Sequence, residues 1–363
     1  MNMTPAERCR AARDGSLSVW DPEVDDVLVC VDARLETHDV RTFTFVSRTP
    51  SRFSYWPGQF LVFDVPVGGE IVQRCYTIAS SPTRPDQISI TVKRKPGGAV
   101  SPWLHDNLRP GMEIRAIGPL GDFSFVATPG EKYLFLSGGS GITPLMSMTR
   151  AHQDLAPDAD IVFIHFARTP EDIIFRDELA VMARQMPNLR VIPVCEADGA
   201  GGRWGGPRGR VTPQLLSLLA PDFAERWIFN CGPPVYMQVV REGLVGLGYD
   251  MRYYYEESFD FGVPPPVEEV LAAQGAETFE VTFSKSGRTI GVAPGQHILA
   301  AAREAGMRLP SSCTKGVCGT CKSKLVSGRV DMKHQGGIRQ REIDQDMILI
   351  CCSTPLTDLV IER

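Results

Sequence analysis

Along the first third of the chain, apolar and polar residues alternate in short runs that are cut by Pro and Gly. "VLVCVDARLE", "VRTFTFVS", "QFLVFDVPV" and "ISITVKR" are rich in β-branched and aromatic residues, the composition and period of strands with one buried face. Short strands at this spacing between about residues 26 and 126, with no clear helical period among them, predict a small antiparallel barrel. From about residue 131 the rhythm changes. "KYLFLS" is a continuous apolar run, "GGSGITP" a glycine turn and "LMSMTRAHQDL" a helix. "DIVFIHFA", a helix around "FRDELAVMARQM", and "LRVIPVCEA" follow. Strand alternating with helix predicts a parallel, doubly wound sheet.

The segment "DFGVPPPVEEVLAAQGAE" breaks that rhythm. Three consecutive prolines at 264 to 266 do not fit a sheet interior and predict an extended spacer. Beyond it, "FEVTFSKSGRTIGVAP" reads as a hairpin and "GQHILAAAREAG" as a helix. No internal repeat or low-complexity tract is present. The expected organisation is an N-terminal extension over 1–25, a barrel over 26–127, an α/β domain over 128–262, a linker over 263–276 and a small cysteine-bearing domain over 277–363.

With 363 residues, 43% hydrophobic and 22% charged, the chain has the composition of a soluble globular protein with several cores. A net charge of -5 without a Lys/Arg block argues against a nucleic-acid binder. No run of eighteen apolar residues offers a membrane span. The first twenty residues are too polar for a signal peptide. Of the ten cysteines, Cys9, Cys30, Cys75, Cys195 and Cys231 are scattered, which fits reduced thiols in the cytoplasm.

The remaining cysteines are clustered. Cys313, Cys318 and Cys321 have the spacing C-x4-C-x2-C, and a further pair, Cys351 and Cys352, follows in "MILICCSTP". This is the plant-type arrangement in which four thiolates hold a [2Fe–2S] cluster. Gly316 and Gly319 permit a tight wrapping loop, and the small Ser311, Ser312 and Thr320 leave its backbone accessible. Structural zinc also takes four cysteines, but its sites come as two closely spaced pairs, which one x4–x2 loop matches poorly.

A glycine turn alone is a weak signal, but "FNCGPPVYM" follows it at the end of a later strand. Together with "RCYTIAS" and the cysteine loop, these stretches resemble the ferredoxin–NADP reductase superfamily. The resemblance covers almost the whole chain after residue 25. It implies a FAD-binding barrel, a nucleotide-binding α/β domain and a β-grasp ferredoxin domain. Gly138, Gly139, Gly141 and Thr143 would clasp the nicotinamide nucleotide with Cys231, Gly232, Pro233 and Met237.

The same resemblance assigns the flavin site. Arg74 would meet the flavin phosphates, Tyr76 would set its ring against the flavin, and Thr77 would bring a hydroxyl near N5, with Cys75 between them. The strand residues Thr91, Val92 and Lys93 and the loop Gly98, Ala99, Val100 and Ser101 would complete the cradle, which favours FAD over FMN. Cys231 and Glu257 would flank nicotinamide and flavin, with Phe259 near the isoalloxazine face. The catalytic candidates are therefore Thr77, Cys231 and Glu257. Each has a plainer alternative: Tyr76 as barrel core, Cys231 as an ordinary buried cysteine, Glu257 as a surface acid. By the family's "IL-x-C-x-x-x-P-L" pattern, Cys351 is the fourth cluster ligand and Cys352 its neighbour.

After "IVFIHFA", Arg168 and Arg176 offer charge to a 2′-phosphate, whereas Asp172 and Asp177 point the other way. No Ser-Arg pair is dedicated to a phosphate, so NADH is expected over NADPH. Hydride carries two electrons and the cluster accepts one at a time. Flavin does both, so the order is NAD(P)H, FAD, cluster. Reductases of this layout serve Rieske-type oxygenases, diiron hydroxylases and the hybrid-cluster protein. "HQGGI" with "CCS" resembles the reductase components of glycine betaine and related betaine monooxygenases, whose terminal Rieske-type oxygenase demethylates quaternary amines. An electron-transfer subunit without nicotinamide turnover is the reading from another class, and intact "GGSGITP" and "CGPP" argue against it.

Overall fold

The computed structural model describes residues 17–126, 129–259, 278–307, 309–311, 316, 319–334, 338 and 340–363. Residues 1–16, the proline segment, Cys313 and Cys318 lie outside them. Two compact units form, Met1–Ser258 and Phe259–Arg363. Among the described residues, no helix is long and apolar enough to cross a membrane.

The first unit begins with six antiparallel strands: β1 (Val27–Thr37), β2 (Val40–Ser47), β3 (Phe60–Val67), β4 (Glu70–Thr77), β5 (Ile88–Lys93) and β6 (Glu113–Leu120). Their order is β4-β3-β6-β1-β2-β5. An Ile78–Ile90 bridge joins the two outer strands and closes the sheet into a barrel. Alternation explains the interior: Phe43 and Phe45 of β2, Leu61 and Phe63 of β3, and Ile88 and Ile90 of β5 point inward and are fully buried. Helix α1 (Val100–Asn107) adds Val100 and Leu104 to that core. Trp20, upstream of the first strand, is also buried there, and its indole N–H donates to the Asp25 carbonyl at 2.9 Å.

The rest of this unit is a parallel sheet of β7 (Lys132–Gly138), β8 (Asp160–Ala167), β9 (Leu189–Cys195), β10 (Trp227–Gly232) and β11 (Tyr254–Ser258). Helices α2 (Ile142–Leu155), α3 (Arg176–Gln185), α4 (Pro213–Leu219) and α5 (Pro234–Gly246) connect them. The order β11-β10-β7-β8-β9 places the topological switch between β7 and β10, where open α/β sheets bind ligands. Strand β7, with six of its seven residues buried, reads as an unbroken apolar run because both its faces are covered.

Helix α2 fastens this sheet to the barrel. Arg150 donates to the Ala79 carbonyl at 2.5 Å and to Glu178 at 2.7 and 2.6 Å, with its guanidinium 4.8 Å above the Phe175 ring. Ser147 donates to the Ser80 carbonyl at 2.7 Å.

The second unit is an α+β, β-grasp domain. It contains β12 (Phe279–Phe283), β13 (Arg288–Val292), α6 (Ile298–Glu304), β14 (Lys322–Ser327), β15 (Val330–Met332), α7 (Gln340–Ile343), β16 (Met347–Leu349), β17 (Ser353–Pro355) and β18 (Leu359–Glu362). The main sheet runs β13-β12-β18-β14-β16, and β15 pairs with β17. Ile298, Leu299, Ala301 and Ala302 of α6 close a core with Phe283, Val292 and Ile361.

Arg150→Ala removes the hydrogen bond to Ala79 and leaves Glu178 without its partner. It is expected to lower unfolding stability by about 2 kcal/mol. Arg84→Ala, at a surface pair with Asp154, should change it by under about 1 kcal/mol. Urea unfolding of both variants checks the contrast.

Candidate active site and cluster loop

Strand β7 ends at Gly138, a turn of 3-10 helix spans Gly139–Gly141, and α2 starts at Ile142. At the end of β10 the chain continues through Gly232 and Pro233 into α5. These two turns meet backbone to backbone. A Cβ on Gly141 would lie 2.2 Å from the Cys231 carbonyl oxygen and 2.6 Å from the Gly232 nitrogen, so no other residue fits without moving one turn. Two helices thus begin at the switch point, presenting backbone N–H groups where an anion is stabilised.

Three polar side chains gather beside this crossing. Parallel pairing of β10 with β11 sets Cys231 opposite Glu257. A Cβ on Gly121, just beyond the last barrel strand, would lie 2.9 Å from the Phe60 ring and 3.9 Å from a Glu257 carboxyl oxygen. Phe60 in turn faces Thr77 across the β3–β4 ladder. The three catalytic candidates therefore lie along one seam between barrel and sheet. The Thr77 hydroxyl and one Glu257 oxygen are buried there without a hydrogen-bond partner, a state folded proteins avoid unless a bound group completes it.

Burial, aided by the nearby Asp122 charge, raises the Glu257 carboxyl from 4.5 to about 8. The residue as a whole is half-buried, with one carboxyl oxygen fully enclosed, and this environment favours the protonated acid at neutral pH. The Cys231 thiol is driven well above its ordinary value by burial, then by Glu257 and Glu256. It stays protonated.

Among the other expected residues, Arg74 donates to the Gln73 carbonyl at 2.7 Å, and Cys75 is half-buried opposite Val62. Tyr76 packs edge-on to Phe63, ring centroids 6.0 Å apart, and against the barrel core. Thr91 shares a hydrogen bond with Thr42 at 2.7 Å, the Val92 side chain is in the barrel core, and Lys93 pairs with Asp39 at 3.1 Å. These side chains are engaged within the barrel. The Ser101 hydroxyl accepts from the Lys95 N–H, so the Gly98–Ala99–Val100–Ser101 turn has no side-chain cap on α1 and its own N–H groups are what it offers. Thr143 donates to the Ser140 carbonyl at 3.2 Å, Met237 is buried in α5, and Phe259 is half-buried beyond β11.

Sequence reasoning passed over two residues here. The Tyr236 ring lies against Gly138 and Gly232, and its hydroxyl is buried without a partner. Asn230 donates to the Tyr254 hydroxyl at 2.9 Å, while its carbonyl oxygen has no partner. Both sit inside the quoted "FNCGPPVYM", whose position at a strand end was the available signal. His165 holds Ser137 at 2.8 Å within the sheet, and burial lowers it to about 3. His105 is bound to the Val92 carbonyl at 2.9 Å.

In the second unit, Cys321 and Cys351 are both buried, and the Ile350 N–H reaches the Cys321 carbonyl at 3.5 Å. Gly316 has φ +70°, and a Cβ there would lie 2.6 Å from the Cys352 sulfur and 2.9 Å from the His334 Cα. The Cys352 thiol donates to the Leu349 carbonyl at 3.5 Å.

Family comparisons agree with this layout. Residues 28–125 match the oxidoreductase FAD-binding domain, 135–242 the oxidoreductase NAD-binding domain, and 281–356 the 2Fe-2S iron-sulfur cluster binding domain. The chain is 46% identical to the glycine betaine monooxygenase reductase subunit of Pseudomonas aeruginosa (strain UCBPP-PA14), over 92% of this chain and 94% of that one. It is 42% identical to a stachydrine N-demethylase reductase subunit of Rhizobium meliloti (strain 1021), covering 95% and 98%. The solved structure of phthalate dioxygenase reductase, described as modular for electron transfer from pyridine nucleotides to [2Fe-2S], superposes with a TM-score of 0.59 at 23% identity, covering 95% of this chain and all of that one.

The raised Glu257 carboxyl fixes the sign of a pH effect. Unfolded it ionises near 4.5 and folded near 8, so between these values the folded state binds the extra proton and stability falls as pH rises. Glu257→Gln is expected to gain thermal stability relative to the parent across that interval and to level off above it. A difference in melting temperature that stays flat with pH would count against a buried, neutral Glu257.

Proposed function

Because this chain belongs to the family of FAD- and NAD-binding oxidoreductases that carry a [2Fe–2S] domain, we propose that it is the NADH-dependent reductase of a Rieske-type oxygenase that demethylates glycine betaine or a related quaternary amine. The observation that carries this reading is the 46% identity to a glycine betaine monooxygenase reductase subunit, sustained over 92% of the chain and through all three domains. The relative named for stachydrine N-demethylation, at 42% identity, supports an N-demethylating partner.

The residues present fit the flavin. FAD, when bound, accepts an electron pair from the reduced nicotinamide and passes electrons singly to the iron–sulfur centre. Arg74 offers its guanidinium to the phosphates, Tyr76 its ring, and the N–H groups at the start of α1 the remaining contacts. Thr77 brings a buried hydroxyl whose oxygen lacks any internal partner. The Gly138–Gly141 turn, with Cys231, Gly232 and Pro233, would hold the nicotinamide nucleotide. Here Cys231 as a neutral thiol and Glu257 as a neutral acid would border the reacting face without adding charge. NADH is favoured because Asp172 and Asp177 stand beside Arg168 and Arg176 in the segment after β8, and no serine–arginine pair is dedicated to a 2′-phosphate.

Cys313, Cys318, Cys321 and Cys351 are the cluster ligands, and the Cys352 sulfur lies against Gly316. The cytoplasm suits a reductase whose Cys30, Cys75, Cys195 and Cys231 form no disulfide.

Purified protein, combined with NADH, oxygen, glycine betaine and a betaine-type Rieske oxygenase, should release formaldehyde in step with NADH loss. NADPH in parallel tests the nucleotide assignment. Dye reduction without formaldehyde would retain the reductase and discard the named partner. Cys351→Ser should lose the visible absorption and iron of the cluster, whereas Cys352→Ser should keep both. The reverse pattern would exchange their roles.

A further inference from the structure

Three residues flanking one expected cluster ligand are gripped by a single side chain. Arg363 follows β18, whose antiparallel pairing with β14 sets Glu362 opposite Lys324. Its main chain is held by the N–H of Lys285 at 3.1 Å and by its own N–H to the Ile361 carbonyl at 3.0 Å. From there the guanidinium reaches back to the start of β14. One terminal nitrogen donates to the Lys322 carbonyl and, at 3.2 Å, to the Ser323 hydroxyl. The other donates to the Thr320 carbonyl at 3.4 Å. Ser323 in turn donates to the Cys321 carbonyl at 3.2 Å. The arginine thus touches the residues on both sides of Cys321 and, through Ser323, Cys321 itself.

No carboxylate among the described residues pairs with Arg363. A partly buried guanidinium that meets only neutral oxygens is costly unless an anion lies close by. An iron–sulfur centre held by four thiolates is net negative, and one added electron makes it more so. Charge near the ligands and hydrogen bonds around them are what set its potential.

We propose that Arg363 is a positioning residue for the cluster, fixing the Thr320–Ser323 segment and, by its positive charge, favouring the one-electron reduced state. The inference rests on Cys321 being a cluster ligand. The electron comes from the reduced flavin in turnover and from a one-electron dye in titration, and no bond is made or broken.

The test is a spectroelectrochemical titration of the full cluster-loaded protein, its Arg363→Gln variant and its Arg363→Lys variant. At a fixed potential, Arg363→Gln should raise the oxidised-to-reduced ratio of the cluster about tenfold, a shift of about 59 mV to lower potential for one electron. Arg363→Lys, which keeps the charge and loses the fork, should stay within about threefold of the parent. An unchanged ratio in Arg363→Gln overturns the inference, as does an Arg363→Lys shift as large as that of Arg363→Gln. Should Arg363→Gln lose its cluster on purification, Arg363→Lys decides: a retained cluster at the parental potential supports the role of charge, and a lost one overturns it. A parent protein with no [2Fe–2S] spectrum would overturn the ligand reading as well. A parent with that spectrum and a silent Arg363→Gln variant would overturn only the inference.

Discussion

The contact on which the rest of the first unit depends is a crossing of two main chains. At the head of the parallel sheet, the turn after β7 approaches the end of β10 so closely that a methyl group on Gly141 would fall 2.2 Å from the Cys231 carbonyl oxygen. Close-packed backbone has almost no compliance at that range. The crossing therefore sets where α2 and α5 begin, and where Cys231 stands in the sheet. Through α2 it also sets Ser147 and Arg150, which hold the barrel. Thr77 and Glu257 are brought to one seam as a result, although one belongs to the barrel and the other to the last strand of the sheet.

Charge in this seam is managed by suppression. Glu257 is raised to about 8 by burial with Asp122 nearby, and Cys231 is held as a thiol. Buried acids and thiols usually gain partners or lose their charge. Here they lose it, which leaves a neutral wall beside two helix starts. Arg150 shows the opposite solution, a buried cation satisfied by Glu178, a carbonyl and an aromatic face.

Much of this was legible in the chain because each element carries its own period. The barrel strands alternate since one face meets the core, and β7 and β8 run apolar since both faces are covered. "GGSGITP" and "FNCGPPVYM" announce tight turns at strand ends. What could not be read came from long-range closure. Nothing in a lone Trp20 among polar residues foretells a place in the barrel core. Gly121 and Asp122 acquire their bearing on Glu257 only when the barrel docks on the sheet. Thr91 and Lys93, apparently available on a strand, turn out to be engaged by Thr42 and Asp39, their neighbours within the barrel. Arg363 shows no pattern at all until β18 lies beside β14.

Two hydrogen bonds at the joint between barrel and sheet have a one-sided composition. Arg150 and Ser147 contribute side chains, whereas the barrel answers at Ala79 and Ser80 with carbonyl oxygens, groups every amino acid possesses. At these two bonds the obligation to keep particular residues falls on α2, whereas at Asp154 the barrel's Thr83 and Arg84 answer with side chains of their own. Either carbonyl would outlast a change of side chain, yet Ser80 has a second tie, since its hydroxyl bonds Tyr55 and the Ser89 N–H inside the barrel. The joint thus mixes bonds that any barrel residue could supply with an ion pair that ties both partners to particular side chains.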